Sequence, residues 1–380
     1  MMRIARIRLD PVVVPARPGS INSPETDHPL HKLPVGAKRG WSQQFDTLPK
    51  IMIRLDLDNG VTGLGETYRA VPMALAQEVA QSLLGADLMD FSLQDLPLPQ
   101  GRIYDGFECA IVDAVARSRD LPLHMLLGGR VRDRVRTAYW TGHRTTADAV
   151  RLARTAQSLG YDCIKFKCRL DDPVIDWCVQ IASQCGTDFK VVLDPNERFE
   201  DAAAAGRLAA ALGAIDNVLY LEDPIARWDV EEWHHLRSRS PVPLAMHISL
   251  PYREMGQLPQ DMARALRHGA CDYFNLNGGI FAVRQLALCA DLFGVKYSHG
   301  SELDLGILEA AYVHKCAAGA LNLLPSDIFG RLIREHDLLK EPMTFSGGHV
   351  LVPRGPGLGV DLDEAALAHF ACGDPCSIER

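Results

Sequence analysis

Apolar and polar residues alternate along this chain with two different periods. Residues Met2 to Val14 and Pro49 to Asp58 alternate one by one, which predicts strands, and Asp58-Asn59-Gly60 predicts a hairpin turn after the second. From Met73 to Leu127 apolar residues recur every three or four positions, which predicts helices that end at Gly128. The N-terminal part is therefore predicted to be an α+β unit.

A different repeat of apolar segments begins near residue 137. Short apolar strands recur at intervals of about 25 residues, and an amphipathic helical pattern occupies the gap after each. The eight predicted strands begin near Thr137, Cys163, Lys190, Val218, Val242, Tyr273, Val295 and Ala320. Eight such units favour an α/β fold with a closed parallel barrel. An open dinucleotide-binding sheet is disfavoured, because no Gly-x-Gly-x-x-Gly motif follows the first strand.

These patterns predict three parts. Residues 1–130 form an α+β capping domain, residues 131–340 form a β/α barrel with the active site, and residues 341–380 return to the capping domain. A loop rich in Pro, Gly, His and Lys spans residues 18–45. Loops of this length inside a compact domain are either functional lids or disordered, and the sequence leaves both open.

Composition excludes several classes of protein. With 47% hydrophobic and 23% charged residues among 380, the chain is typical of globular proteins. A net charge of −8 without a basic run argues against a nucleic-acid partner. Ten scattered cysteines without a Cys-x-x-Cys pair suggest reduced thiols in the cytoplasm. Arg3, Arg6 and Arg8 interrupt the apolar N-terminus, and no long apolar run follows, so neither a signal peptide nor a membrane span is expected.

Polar side chains stand at the ends of six successive barrel strands, where parallel barrels place their active sites. In chain order they are Lys165, Lys167, Asp194, Glu222, His247, Asn275, Asn277 and His299. Lys165 and Lys167 are two residues apart, so they point to one face. Asp194 and Glu222 suit a Mg²⁺ site, with a third ligand on the next strand. One lysine beside such a site could hold a substrate carboxylate while the other abstracts a proton.

Each of these residues also has a simpler explanation. A single strand lysine is usually at a surface, and a carboxylate after a strand often caps a helix. His299 alone suits a hydrogen-bonded core histidine, and Asn275 and Asn277 could satisfy loop backbone. Their predicted convergence on one rim of one barrel favours a functional site.

Several motifs, in order, resemble the enolase superfamily in its mandelate racemase/muconate lactonizing enzyme branch. They are NGVTGLGE (59–66), LPLHMLLGGRVRDRV (121–135), KFK (165–167), LDPN (193–196), LEDP (221–224), Gly278-Gly279 and PGLGVDLDE (356–364). The resemblance covers nearly the whole chain. It implies a modified TIM barrel of (β/α)₇β type under a cap built from both termini. It also implies a divalent cation, usually Mg²⁺, and abstraction of the proton α to a substrate carboxylate to give an enediolate.

The resemblance also implies individual roles. Asp194 and Glu222 correspond to the first two metal ligands, Lys167 to the base, and Lys165 to the group that steadies the carboxylate. The loop 18–45 corresponds to a lid, in which His28, His31 and Trp41 could contact substrate. The substrate-binding candidates are Trp41, Asn196, Asn277 and Glu302. Self-association into a homo-oligomer is implied as well.

The sequence departs from the family pattern at two strands. His247 stands where the family has an acidic third ligand, which would admit Mn²⁺, Fe²⁺ or Zn²⁺ beside Mg²⁺; alternatively His247 binds substrate or has no role in the site. On the sixth strand Asn277 stands near the position of a lysine, and no carboxylate there can orient a histidine. His299 is therefore predicted as the second acid/base, with Glu302 as its orienting group.

The predicted activity is that of a metal-dependent lyase or isomerase acting on a small carboxylate. Dehydration of a hydroxy acid or acid sugar is favoured, because Asn277 removes half of the symmetric lysine pair that epimerases of one branch use. A racemase, epimerase or cycloisomerase would use the same enediolate. A non-catalytic carboxylate-binding barrel and a hydrolase with a metal-bound water are further alternatives.

Overall fold

The computed structural model describes residues 2–26, 48–199 and 201–379. It contains a β/α barrel and a smaller cap with its own sheet. The candidates His28, His31 and Trp41 lie outside the described residues. Within the described ranges, no helix has the length and apolar character needed to cross a membrane.

The cap sheet begins with the two predicted strands. Strands β1 (Ile4–Val12), β2 (Lys50–Leu57) and β3 (Thr62–Glu66) form an antiparallel meander, and the predicted hairpin turn joins β2 to β3. The last strand of the chain, Cys376–Glu379, pairs with the other edge of β1. The two ends of the polypeptide therefore meet in one sheet.

Two helices pack on this sheet, α1 (Met73–Leu83) and α2 (Tyr104–Ser118). Helix α2 lies very close to β3. The absence of a side chain at Gly65 permits this approach, since a Cβ atom there would be only 3.0 Å from the Ala110 Cβ. The 3₁₀ helix Leu123–Leu127 then ends at Gly128, whose φ of 96° suits glycine, as predicted.

Seven parallel strands form the barrel in chain order, so that each strand pairs with the next. After β4 (Arg134–Arg136), which lies outside this sheet, they are β5 (Tyr139–Thr141), β6 (Cys163–Lys167), β7 (Lys190–Asp194), β8 (Val218–Glu222), β9 (Leu244–Ser249), β10 (Tyr273–Asn277) and β11 (Tyr297–His299). The first seven predicted barrel strands are thus confirmed.

The surrounding helices also follow the predicted pattern. They are α3 (Thr146–Ser158), α4 (Val174–Cys185), α5 (Ala202–Leu212), α6 (Val230–Arg239), α7 (Pro259–His268), α8 (Ile280–Phe293), α9 (Gly306–Ala318) and α10 (Gly330–Ile333). Local chemistry sets several of their ends. Asp201 accepts hydrogen bonds from the Ala203 and Ala204 amides at the start of α5, and α8 ends at Gly294 with φ 68°.

The eighth predicted strand, near Ala320, does not form a regular ladder. Residues 321–327 instead bridge the two open edges of the sheet. The Tyr297 amide donates to the Leu321 carbonyl, and the Ser326 amide donates to the Arg136 carbonyl. Pro325 lies in this segment and cannot donate a ladder hydrogen bond, which explains the irregularity. The modified (β/α)₇β barrel is confirmed, with an irregular segment closing it.

The C-terminal segment contacts both parts of the molecule. Strand β13 (His349–Leu351) pairs with β4 on one side and with β12 (Phe345–Ser346) on the other, and neither strand joins the cap sheet. The Leu123 amide then donates to the Gly357 carbonyl, so the chain passes along the cap. After α11 (Glu364–His369), the last strand, β14 (Cys376–Glu379), completes the cap sheet.

One barrel helix joins barrel and cap. Every residue of α9 is buried, because the helix packs against α2, the 3₁₀ helix after it and the C-terminal segment. Polar residues on α9 therefore lie in a desolvated contact zone, where each needs a hydrogen-bond partner.

Candidate active site

Strand β6 directs both lysines of the KFK motif into the barrel. Lys165 and Lys167 point the same way because side chains alternate along a strand, and both are buried. Lys167 pairs in register with Asp194 at the end of β7. Glu222 ends β8, the next strand. The predicted lysines and carboxylates therefore meet at the C-terminal end of the barrel.

Lys165 lies at the centre of this group. Its Nζ is 2.9 Å from both Glu222 carboxylate oxygens, 2.7 Å from Asp327 Oδ2 and 3.2 Å from Asp194 Oδ2. Burial alone would lower the pKa of Lys165, but the three carboxylates raise it well above its usual value. Lys165 is thus held as an ammonium group.

Lys167 has a different environment. It donates to Asp194, and its side chain is 11% exposed compared with 1% for Lys165. Burial would raise the pKa of Asp194, but the two lysines hold it below its usual range. The main-chain amide of Asn196 also donates to Asp194 Oδ1, at 3.1 Å. Lys167 is therefore the lysine that faces open space.

His247 lies near these carboxylates, on β9. Its main-chain amide donates to Asp223 Oδ1 at 2.8 Å, and its carbonyl accepts from Arg227 at 3.0 Å, so the backbone is fixed. Among the described residues, its buried Nε2 has no hydrogen-bond partner. Burial lowers the pKa of His247 well below its usual value, and Arg227 adds to this effect. The imidazole is therefore neutral and able to act as a ligand.

The donor set fits a divalent cation in its chemistry. Asp194 and Glu222 supply carboxylate oxygens, and the unpartnered His247 Nε2 supplies an imidazole nitrogen. In the described part of the chain, no three acidic, His or Cys side chains converge closely enough to hold a metal. The positive charge between the carboxylates is instead that of Lys165.

Two adjoining cavities open over this group. A cavity of about 60 Å³ is lined by Lys167, Glu222 and His247 among others. A second cavity of about 300 Å³ extends toward Trp228 and Ile248. The two cavities share five lining residues, Arg69, Asn196, Arg227, His247 and Tyr252. Together they provide space for a small molecule beside Lys167.

The structure does not bring His299 to these cavities. His299 pairs in register with Leu276 and shares its face, which packs toward the helices. Its ring stacks on Tyr312 at 4.1 Å, and its Nδ1 is 2.6 Å from the Gly300 carbonyl oxygen. Burial lowers the pKa of His299 well below its usual value, and Lys315 adds to this effect. The predicted position of His299 as an acid/base at the barrel mouth is not supported.

Asn277 and Glu302 also differ from the prediction. The side-chain Oδ1 of Asn277 accepts from the Gly278 main-chain amide at 2.9 Å and from the Tyr68 hydroxyl at 3.4 Å, and Asn277 lines neither cavity. Glu302 does line the smaller cavity, but it contacts Arg69 and Tyr252 and does not orient His299. The packing of the cap explains both differences, because its residues Tyr68 and Arg69 contact these two side chains.

Sequence reasoning missed several residues of the site. Asp327 follows the eighth apolar run, so the strand-end rule that found Asp194 could have found it. Arg69 comes from the cap and Tyr252 from the 3₁₀ helix Leu250–Met255 after β9. No local pattern marks either residue, because only tertiary contacts bring them to the cavity.

Comparisons with known proteins agree with this geometry. Residues 148–366 match the family model described as "Enolase C-terminal domain-like". Muconate cycloisomerase 1 of Pseudomonas putida is 29% identical, covering 91% of this chain and 95% of its own. A probable glucarate dehydratase of Streptomyces coelicolor is 28% identical, covering 84% of each chain. The crystal structure of muconate cycloisomerase from Pseudomonas fluorescens superposes with a TM-score of 0.79 at 25% identity, covering 98% of this chain and 99% of that one.

Proposed function

Because this chain belongs to the enolase superfamily, in its mandelate racemase/muconate lactonizing enzyme branch, we propose that it dehydrates a hydroxy acid or acid sugar. The reaction begins with removal of the proton α to the substrate carboxylate. The observation that carries the proposal is the unequal exposure of the two barrel lysines: Lys165 is enclosed by carboxylates, whereas Lys167 lines a cavity. Relatives of this chain include dehydratases, cycloisomerases and a racemase.

The two lysines have different roles, one in binding and one in proton abstraction. Lys165 is fixed by three carboxylates and remains an ammonium group, so it binds and does not abstract. We assign it to the substrate carboxylate, by a charge-assisted hydrogen bond. Lys167 has a single carboxylate partner and faces the cavity, so its amine is the base that takes the α-proton.

Enolase-superfamily enzymes generally bind a divalent cation. In this chain Asp194 and Glu222 would hold it with the His247 nitrogen, and Mg²⁺ or Mn²⁺ suits this mixed set. When bound, such a cation supplies electrostatic stabilisation of the enediolate charge. Asn275 donates to Glu222 Oε1 at 2.8 Å and so orients that carboxylate.

The outcome after proton removal depends on the opposite side of the cavity. A racemase needs a second base there, and neither Asn277 nor His299 faces the cavity. Dehydration needs only an acid that protonates the leaving hydroxyl. The space toward Trp228 accommodates the remainder of the substrate.

A cycloisomerase is the second candidate, because the muconate cycloisomerase of Pseudomonas putida is 29% identical over most of both chains. The two functions differ in their products. Dehydration of an acid with hydroxyls at C2 and C3, such as an acid sugar, yields a 2-keto acid and water, whereas cycloisomerisation conserves every atom of the substrate.

Proton exchange in D₂O tests the proposal. The protein is incubated with Mg²⁺ or Mn²⁺ and D-glucarate, D-xylonate or muconolactone, and deuterium at the α-carbon and keto-acid formation are followed by NMR. We expect exchange or product with at least one acid, reduced about 10²–10⁴-fold in Lys167→Ala. Lys296→Ala, at an exposed lysine far from the cavity, is the matched control. Equal rates in both variants would contradict the proposal.

The expected partners are a small carboxylate and further copies of this chain. Helix α8 exposes Leu288, Leu292 and Phe293, with exposed fractions of 45%, 87% and 64%. Such a row of apolar side chains supports self-association. Light scattering of the protein and of Phe293→Asp tests this, with a smaller particle expected for the variant.

A further inference from the structure

The proposed dehydration requires a second proton-transfer group beside Lys167. Neither Asn277 nor His299 can be that group, because neither lines the cavity. The ionisable side chains that do line it, among the described residues, are Arg69, Lys167, Glu222, Arg227, His247, Tyr252, Glu302 and Asp327. Arginine does not release its proton in proteins, and Lys167 is the base. Glu222 and Asp327 are bound to Lys165, and the His247 nitrogen is a proposed ligand. Tyr252 and Glu302 remain.

Tyr252 and Glu302 form a hydrogen-bonded pair. The Tyr252 hydroxyl donates to Glu302 Oε2, although the two residues come from loops after different strands. Arg69 of the cap holds Glu302 from the other side: its Nη1 is 3.3 Å from Glu302 Oε2 and 3.0 Å from the Glu302 carbonyl oxygen. Glu302 is 5% and Arg69 6% exposed, so this ion pair lies in a part of the cavity wall that is shielded from solvent.

We propose that Tyr252 is the acid that protonates the leaving hydroxyl, and that Glu302 is the positioning residue that orients and re-protonates it. This assignment rests on the proposed dehydration. It accounts for a site in which the acid comes from the loops after β9 and β11 and the base from β6.

The proposed dehydration consists of proton abstraction followed by loss of the hydroxyl. The Lys167 amine takes the α-proton, and the C–H electron pair moves into the carboxylate to give the enediolate. That electron pair then forms the Cα–Cβ double bond as the Cβ–O bond breaks. The Tyr252 proton joins the departing hydroxyl to give water, and Tyr252 regains a proton from Glu302. The enol product tautomerises to the 2-keto acid. Lys167 releases and Glu302 regains a proton through solvent, which resets the site.

The environment of Glu302 is compatible with this role. Burial raises the pKa of Glu302 above its usual value, and Arg69 opposes this effect. Burial raises the pKa of Tyr252. A neutral phenol in contact with Glu302 is therefore the resting state of Tyr252.

The test separates proton abstraction from loss of the hydroxyl. Wild type and Tyr252→Phe are incubated in D₂O with Mg²⁺ and D-xylonate or D-glucarate. Keto-acid formation and α-deuterium in the recovered acid are measured together. We expect Tyr252→Phe to lower keto-acid formation about 10²–10⁴-fold while α-deuterium in recovered acid rises. The control variant is Tyr273→Phe, at the first residue of β10 and so at the end of the barrel away from the site. It should match wild type.

Glu302→Gln keeps an acceptor for the Tyr252 hydroxyl but cannot relay a proton. We expect kcat to fall about 10-fold with KM nearly unchanged, whereas a merely structural role would change both. Keto-acid formation by Tyr252→Phe at the wild-type rate would overturn the assignment. Equal loss of exchange and product in Tyr252→Phe would also overturn it. Absence of both in wild type with every acid would instead reject the proposed function and this assignment with it.

Discussion

Two buried groups of charges in this molecule look alike in composition but differ in how completely they are hydrogen-bonded. Between cap and barrel, Lys50 Nζ is 2.6 Å from Glu66 Oε1, 2.7 Å from Asp304 Oδ1 and 3.2 Å from the Thr67 carbonyl oxygen. Glu66 also accepts from main-chain amides, and Asp304 accepts from the Tyr312 hydroxyl at 2.7 Å. This group, the cap–barrel cluster, uses all three donors of its lysine.

The group at the barrel mouth is incomplete by comparison. Within the described ranges, Asp327 Oδ1, Asn275 Oδ1 and His247 Nε2 are buried without hydrogen-bond partners. Glu222 and Asp327, which bind Lys165, line a cavity together with His247. Lys50, Glu66 and Asp304 line none of the principal cavities in the described part of the chain. A buried lysine among carboxylates is therefore not sufficient to indicate a site. Unpartnered polar atoms beside open space indicate one.

Loss of the lysine in the cap–barrel cluster should have the largest effect. Lys50→Met leaves Glu66 and Asp304 buried without a counter-charge, both at 0% exposure. We expect the free energy of unfolding, measured in urea, to fall by about 3–5 kcal/mol. Added Mn²⁺ should stabilise Lys50→Met no more than it stabilises wild type. A loss no larger than that of exposed Lys296→Met would contradict the comparison.

A buried histidine pair in the same contact zone should make stability depend on pH. His124 and His314 approach at 3.0 Å between their Nδ1 atoms, and the second nitrogen of His314 contacts the Leu358 carbonyl. Burial lowers the pKa of His314 to about 4, from a usual value near 6.5. The unfolded chain therefore binds the proton more readily, so stability is lost as pH falls from about 6.5 to 4.

The expected loss is about 3 kcal/mol at the acid end of that range. Urea unfolding of wild type and His314→Gln at four pH values between 4.5 and 7.5 measures it. The variant should show a shallower pH dependence, because its amide does not titrate. Parallel curves for the two proteins would show that His314 contributes nothing to acid sensitivity.

Replacement of the lysine at the barrel mouth should cost less and respond to cations. Lys165→Met leaves Asp194, Glu222 and Asp327 beside a cavity that admits water. We expect unfolding free energy to fall by about 1–3 kcal/mol. Mg²⁺ or Mn²⁺ at 100 times its dissociation constant should restore about 2.7 kcal/mol. If the cations raise the Tm of Lys165→Met no more than that of wild type and of Lys50→Met, the distinction between the two clusters is wrong.

Much of the fold followed from local pattern. Strands β6, β7 and β10 begin where the apolar runs begin, and helix α5 (Ala202–Leu212) occupies the predicted gap between two barrel strands. These elements were predictable because alternation and helical spacing depend on neighbouring residues alone. The irregular segment 321–327 was not, because its form depends on two strands that are distant in the chain.

The amino-acid order was enough to place Lys165, Lys167, Asp194 and Glu222 at one end of a barrel, since strand period and parallel topology together determine that rim. It could not determine which way a residue turns once its strand has ended. His299 packs against α9 and Asn277 meets Tyr68 of the cap, while Tyr252 enters the cavity. Those orientations depend on packing between segments far apart in the chain, so only the tertiary structure decided them.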